Sequence, residues 1–143
     1  MKFDTKGLTR SISDLLRLTG VIVFGAWNEK YKQPKFLENA AQEDLYQKFL
    51  RMVDHGKINE AENELIDYIE QNVLYGEDGR KEWDGQDLSV LEMALCVYGY
   101  MNDKEDDFLC ENDYSREEIQ DGIEGILSMY GIAIPGCHSH FEG

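Results

Sequence analysis

The chain has 143 residues, of which 42% are apolar, and it carries a formal net charge of −15 at pH 7. This length and apolar content suit one domain with a single core, and a protein this acidic repels phosphate backbones, which argues against nucleic-acid recognition through a basic surface. The charge is divided unevenly: residues 1–36 hold seven Lys or Arg and three Asp or Glu (net +4), whereas residues 37–143 hold seven and 26 (net −19).

The first predicted element is an amphipathic helix within residues 1–27. Apolar residues recur at helical spacing, and Thr9 is placed to cap the helix. Its most apolar part, Leu15–Trp27, has 13 residues and is too short to span a membrane. The helix could dock on the core, pair with a second subunit, or lie on a membrane surface. The residues predicted to bind a partner here are Leu8, Ile12, Leu15, Leu16, Ile22, Val23 and Phe24.

Residues 42–73 are predicted to form two antiparallel helices that turn at His55-Gly56-Lys57. Residues 28–42 before them contain Pro34 and mixed charge, which is typical of a connector, and the helical pattern begins after Asn39. Gly56 can adopt the left-handed backbone that ends a helix, and Asn59 can cap the next one. The predicted buried stripes are Leu45, Phe49, Met52 and Val53 in the first helix and Ala61, Leu65, Ile66, Ile69 and Val73 in the second.

Two other segments contain residue types that bind metals. Glu77–Asp87 is acidic and rich in glycine, but it does not follow the EF-hand order, so a solvated turn with Trp83 packed on the core is the favoured interpretation. Cys137, His138 and His140 lie close together in the tail, where a fraying terminus over residues 133–143 is favoured over a zinc or copper site. We therefore predict no cofactor, and a metal at either segment stays open.

A second helical hairpin is predicted from residues 87–102 and 115–130. The first of these helices is apolar almost all round, which indicates either the central helix of the fold or a subunit interface. Its few other residues, Ser89, Glu92, Cys96 and Gly99, fall on one narrow strip. Asn102–Asp113 is predicted to be an acidic turn anchored by Phe108 and Leu109. The last helix begins with a capping box from Ser115 to Glu118, ends at Gly131, and has the buried stripe Ile119, Ile123, Ile126, Leu127 and Tyr130.

These elements predict an all-α fold. We expect a small bundle of about five helices over residues 1–143, in which two consecutive antiparallel hairpins form the core at residues 39–132 and the N-terminal helix is added to them. The offsets of Gly56, Ala61 and Leu65 are similar to those of a tetratricopeptide (TPR) unit, so the hairpins are predicted to be TPR-like.

The sequence contains no catalytic motif, and we predict a protein that is not an enzyme. The expected role is a protein–protein interaction or self-association module, a homo-oligomer formed through the N-terminal helix or through Leu88–Met101. The alternative is a peripheral membrane-surface protein that uses the basic first helix. Three cysteines without a close pair, and an N-terminus that is not of the signal type, favour the cytoplasm.

Two segments carry a resemblance to a known family. GKINEAENELIDYIE (residues 56–70) and DDFLCENDYSREEIQDGIEGILSMYGI (residues 106–132) resemble a family of small acidic helical proteins of unknown function from Firmicutes. That family pairs a GKINEAEN-type turn with a helix start of the FLxENxxSREEI type. The resemblance implies an all-helical fold and a bacterial cytosolic origin, and it supplies no activity and no functional residues.

Overall fold

In the computed structural model, residues 5–24, 40–74 and 85–132 are described, and all regular structure within these ranges is helical. The predicted all-α class is therefore confirmed. The predicted acidic loop Glu77–Asp87 is described only in its last three residues, and these are helical, so the helix predicted from residue 87 begins at Gly85. The other residues of that loop, with Trp83, and the tail that follows residue 132 lie outside the described residues. The helices are α1 (Thr5–Phe24), α2 (Ala40–Asp54), α3 (Ile58–Ile69), α4 (Gly85–Asn102), α5 (Asp106–Glu111) and α6 (Arg116–Met129), and a π-helical turn at Glu70–Leu74 continues α3.

The turn between α2 and α3 is set by Gly56, which has a φ of +83°. The amide of Lys57 donates to the carbonyl of Met52 at 2.8 Å, which closes the last turn of α2 in the manner of a Schellman motif. The prediction for Gly56 is confirmed, but the prediction that Asn59 caps α3 is wrong. Because Lys57 already stands at the N-cap position, Asn59 lies inside α3, and its side-chain amide donates to the carbonyl of Asp113 at 3.3 Å.

The predicted central helix is α4, which contacts α1, α2, α3 and α6. Its residues from Leu88 to Asn102 are all buried or half-buried, which explains why its sequence is apolar almost all round. The strip that the sequence singled out is half-buried, and at Gly99 a methyl group would lie 3.5 Å from Cδ1 of Leu16 on α1. The fully buried residues of α4 are Val90, Leu91, Met93, Ala94, Leu95, Val97, Tyr98 and Met101.

The segment between α4 and α6 is not a simple turn, because α5 occupies Asp106–Glu111. The two acidic residues in its first turn interact favourably with the positive end of the helix dipole, and its residue Leu109 is buried in the core. The serine half of the predicted capping box at α6 is confirmed: the hydroxyl of Ser115 accepts from the amide of Glu118 at 3.3 Å. The carboxylate of Glu118 accepts from that hydroxyl, also at 3.3 Å. The end of α6 is confirmed as well, since Gly131 has a φ of +71°.

Helix α1 begins at Thr5, so the prediction that Thr9 caps it is wrong. Leu8 packs on the core one turn before Ile12, and this contact extends the helix beyond Thr9. The sequence left three interpretations of this helix open, and in the structure it docks on the core, where α1 packs on α4 and α6. The side chains of Ile12, Leu15 and Leu16 are buried there.

Candidate functional site

An open groove of about 930 Å³ lies between α1 and the segment that joins α4 to α5, and we call it the α1/α5 groove. Helix α1 forms one wall over residues 9–17, where the residues that line the groove are spaced at one, three and four positions, the spacing of one helix face. α1 therefore buries one face in the core and presents another to the groove. The residues of this α1 wall are Thr9, Arg10, Ser13, Asp14 and Arg17.

The opposite wall, which we call the acidic wall, is formed by residues 103–107. It holds Asp103, Glu105, Asp106 and Asp107 together with Lys104, a formal net charge of −3. The α1 wall holds two arginines and one aspartate, a net of +1, and within it the guanidinium of Arg17 donates to Oδ1 of Asp14 at 3.0 Å. The two sides of the groove therefore carry opposite charge, and their side chains are mostly exposed.

Lys104, the lysine in the acidic wall, is ion-paired within the protein. Its ammonium lies 2.6 Å from Oδ1 of Asp54, which also accepts from the hydroxyl of Tyr100 at 2.7 Å. The hydrogen bond from Lys104, followed by that from Tyr100, lowers the pKa of Asp54, and the bond to Asp54 raises the pKa of Lys104. Lys104 also lies 4.7 Å from the centroid of the Tyr100 ring. The acidic residues beside it consequently dominate this wall.

The groove is supported by Arg116, which is only 8% exposed. Its guanidinium donates to the carbonyl of Asn102 at 2.7 Å, to the carbonyl of Lys104 at 2.5 Å and to Oδ1 of Asp106 at 2.9 Å. Asn102 in turn donates from its side-chain amide to the carbonyl of Thr9 at 3.3 Å. Because a buried arginine thus satisfies carbonyl groups at the end of α4, the groove has a fixed base.

A second polar cluster lies under α6, where Glu62 accepts from the hydroxyl of Tyr98 at 2.7 Å and from that of Tyr114 at 2.9 Å. Burial, and then the charge of Glu62, raises the pKa of both tyrosines. Both phenols therefore stay protonated at neutral pH and serve as donors that join α3, α4 and the segment between α5 and α6. None of the three residues lines the groove.

Of the residues predicted from sequence to bind a partner, those whose side chains are described do not line the groove. Ile12, Leu15 and Leu16 are buried in the chain's own core, and Leu8 is half-buried against it. The side chains of Ile22, Val23 and Phe24 lie outside the described residues, although their backbone belongs to α1. Partner binding by these residues stays a prediction.

The sequence did not single out Arg116 or Asn102 for the site. The pattern identifies Arg116 only as a residue of the capping box, and Asn102 only as the end of a helix. A basic residue directly after an acidic segment was the available signal, but it does not reveal burial.

The candidate metal ligands Cys137, His138 and His140 lie outside the described residues. Within the described ranges, no group of three or more His, Cys, Asp and Glu is placed to hold a metal ion. No described helix is both long and apolar enough to cross a membrane.

The comparison with known proteins assigns a family. A family model described as "Family of unknown function (DUF6483)" matches residues 3–131. The chain therefore belongs to this family, and the match includes the 56–70 segment and all but the last residue of the 106–132 segment. No curated protein and no solved structure matches the chain.

Proposed function

We propose that this member of a family of unknown function is a non-enzymatic helical module that binds another protein through the α1/α5 groove. The observation that carries the proposal is the opposite charge of the two groove walls. Exposed charges of both signs guide a protein partner into one orientation and exclude partners of the wrong pattern. Arg116 holds the walls in place before binding, which reduces the conformational entropy that is lost on association.

Binding is favoured over catalysis by the chemistry of the groove. The described residues that line it include the hydroxyls of Thr9 and Ser13, but no histidine that could act as their base. The tyrosines whose pKa values rise most, Tyr98 and Tyr114, are engaged by Glu62 elsewhere in the fold. Strongly perturbed groups that lie outside a cleft, and that tie helices together, support a structural role.

A protein partner is also favoured over a membrane surface. A helix that lies on a bilayer inserts its apolar face among the lipids. The apolar residues Ile12, Leu15 and Leu16 of α1 are instead buried against the protein. Membrane contact would therefore require α1 to leave the core, whereas contact through the groove requires no rearrangement.

The proposed setting is the cytoplasm of a bacterium, the Firmicutes cell that the sequence motifs imply. Cys96 and Cys110 are both free thiols. Burial, followed by the charge of Glu92, raises the pKa of Cys96 to about 12, so this thiol stays protonated and inert at neutral pH. A reducing compartment suits such a chain, and the interaction proposed here needs no disulfide.

The test is capture of partners from a lysate of the native cell with the intact protein and two charge-reversed variants. In the first variant, Arg10→Glu and Arg17→Glu reverse the cations of the α1 wall. The matched control, Arg51→Glu with Lys57→Glu, makes the same change in net charge at exposed positions outside the groove. We expect proteins captured by the wild type to be lost with the first variant and retained with the control.

Equal capture by all three proteins would overturn the proposal, as would equal loss with both variants. Circular dichroism of each variant establishes that it is folded. Co-sedimentation with anionic vesicles provides the second arm. Vesicle binding that depends on Arg10 and Arg17, without any groove-dependent protein capture, would replace the protein partner with a membrane surface.

A further inference from the structure

We propose that the protein bound in the α1/α5 groove is a second copy of this chain, related by a two-fold axis parallel to the groove. This inference rests on the proposed function and names its partner. A two-fold axis in this direction places the α1 wall of each copy opposite the acidic wall of the other. The contact is then made twice, and the same surface serves both subunits, as in most homodimers.

The charge pattern selects this orientation. With the axis parallel to the groove, a wall of net +1 faces a wall of net −3 at both contacts. A two-fold axis across the groove would instead bring each wall against its own copy, and like charges would oppose each other. The groove is therefore self-complementary in one arrangement only.

The net charge of the chain makes this local attraction decisive. Two copies that each carry −15 repel one another at long range. They can approach only where cations of one copy meet anions of the other. Residues 1–36 have a net charge of +4, and within the described part of that segment Arg10 and Arg17 line the groove. The α1 wall is thus the surface on which a second acidic copy meets attraction.

An exposed apolar residue lies beside the same surface. Leu18 of α1 is 40% exposed and directly follows Arg17 of the α1 wall in sequence. Contact through the α1 wall would therefore place an apolar side chain next to the charged residues, and stable interfaces combine apolar and polar parts in this way.

The experiment is a charge exchange between copies, followed by sedimentation equilibrium at one ionic strength over a range of protein concentrations. The α1-reversed variant carries Arg10→Glu and Arg17→Glu. The loop-reversed variant carries Asp103→Lys and Glu105→Lys, which leaves Asp106 bound to Arg116. Ionic strength is held constant because salt screens both the long-range repulsion and the local attraction.

We expect the wild type to dimerise and each variant alone to dimerise at least about tenfold more weakly, since like charges then meet at both contacts. Mixing the two variants should restore the dimer, because the anionic α1 wall of one meets the cationic loop of the other. The control Asp44→Lys with Asp67→Lys changes the net charge as the loop-reversed variant does, at exposed positions outside the groove. This control should not show the weakened dimerisation that we expect of the loop-reversed variant.

Recovery on mixing also shows that the reversed proteins are folded, because misfolded copies would not regain a partner. A monomeric wild type would overturn the inference, and so would a dimer that both reversals leave intact or a mixture that fails to recover. A monomeric wild type does not by itself overturn the proposed function. If the wild type is monomeric while lysate capture still depends on Arg10 and Arg17, the groove binds a different protein and only the identity of the partner is wrong.

Discussion

Gly122 provides a sharp test of the packing beneath α6. A methyl group at this position would lie 2.5 Å from the hydroxyl oxygen of Tyr98 and 2.6 Å from Oε2 of Glu62. The ring of Tyr98 is fully buried and cannot withdraw, and Glu62 is held by the hydroxyls of Tyr98 and Tyr114. Gly122→Ala must therefore displace the cluster or move α6 away from α4.

The expected effect follows from two opposing contributions. Overfilling a packed core destabilises by about 1–3 kcal/mol, and a strained hydrogen bond to a carboxylate brings the displacement to the upper end of that range, about 3 kcal/mol. Alanine favours a helix over glycine by about 1 kcal/mol. The free energy of unfolding should consequently fall by about 2 kcal/mol, measured by urea unfolding followed by far-ultraviolet circular dichroism.

Gly125 is the matched control in the same helix. It is exposed, and a methyl group there would have no neighbour within 4 Å. Gly125→Ala should therefore raise the free energy of unfolding by about 0.5–1 kcal/mol through helix propensity alone. The two substitutions are chemically identical and should have opposite signs. A Gly122→Ala protein as stable as Gly125→Ala would refute the contact between α6 and the Glu62 cluster.

Three further predictions use other parts of the fold. Arg116→Lys should lower the free energy of unfolding by about 2 kcal/mol, because a lysine cannot reach the acceptors that the guanidinium fork holds, and unchanged urea unfolding would contradict this. Ser115→Ala should remove about 1 kcal/mol with the capping box, seen as a lower melting temperature, and an unaltered melting curve would argue against the cap. Burial raises the pKa of Cys96 from 9.0 to about 12 and also raises the pKa of Tyr98 above 10.0, so the folded state holds these protons more tightly than the unfolded chain. Stability from these groups is complete below pH 9.0 and decreases as the pH rises further, so urea midpoints that stay constant above pH 10.0 would show that the thiol and the phenol are not buried as described.

The sequence predicted the features that depend on a single residue in a local conformation. Gly56 and Gly131 have φ values of +83° and +71°, which glycine adopts without steric strain, so their roles as helix ends follow from residue type and position. The capping box at Ser115 is equally local. The burial of α4 was predictable because an almost wholly apolar helix has no solvent face to offer.

The features that the sequence did not predict depend on contacts between distant segments. The carbonyl of Thr9 and the amide of Asn102 are 93 positions apart, and no spacing rule connects them. Helix α5 has six residues and buries only Leu109, which leaves too little periodicity to distinguish a short helix from a turn. The role of Arg116 was hidden for the same reason, since its acceptors become visible only when α4 and α6 are packed together.

Helix α1 packs one face on the core and presents another to the groove, and this determines how self-association can be tested. Deletion of residues 1–27 would expose the faces of α4 and α6 that α1 covers, because Ile12, Leu15 and Leu16 belong to the core. Loss of each buried side chain of this kind removes about 2–3 kcal/mol, which for three is comparable to the whole stability of a small domain. A truncated chain would then change its oligomeric state through unfolding or aggregation. Substitution of Arg10 and Arg17 leaves the docked face intact, so a change in the dimer that it causes arises at the groove.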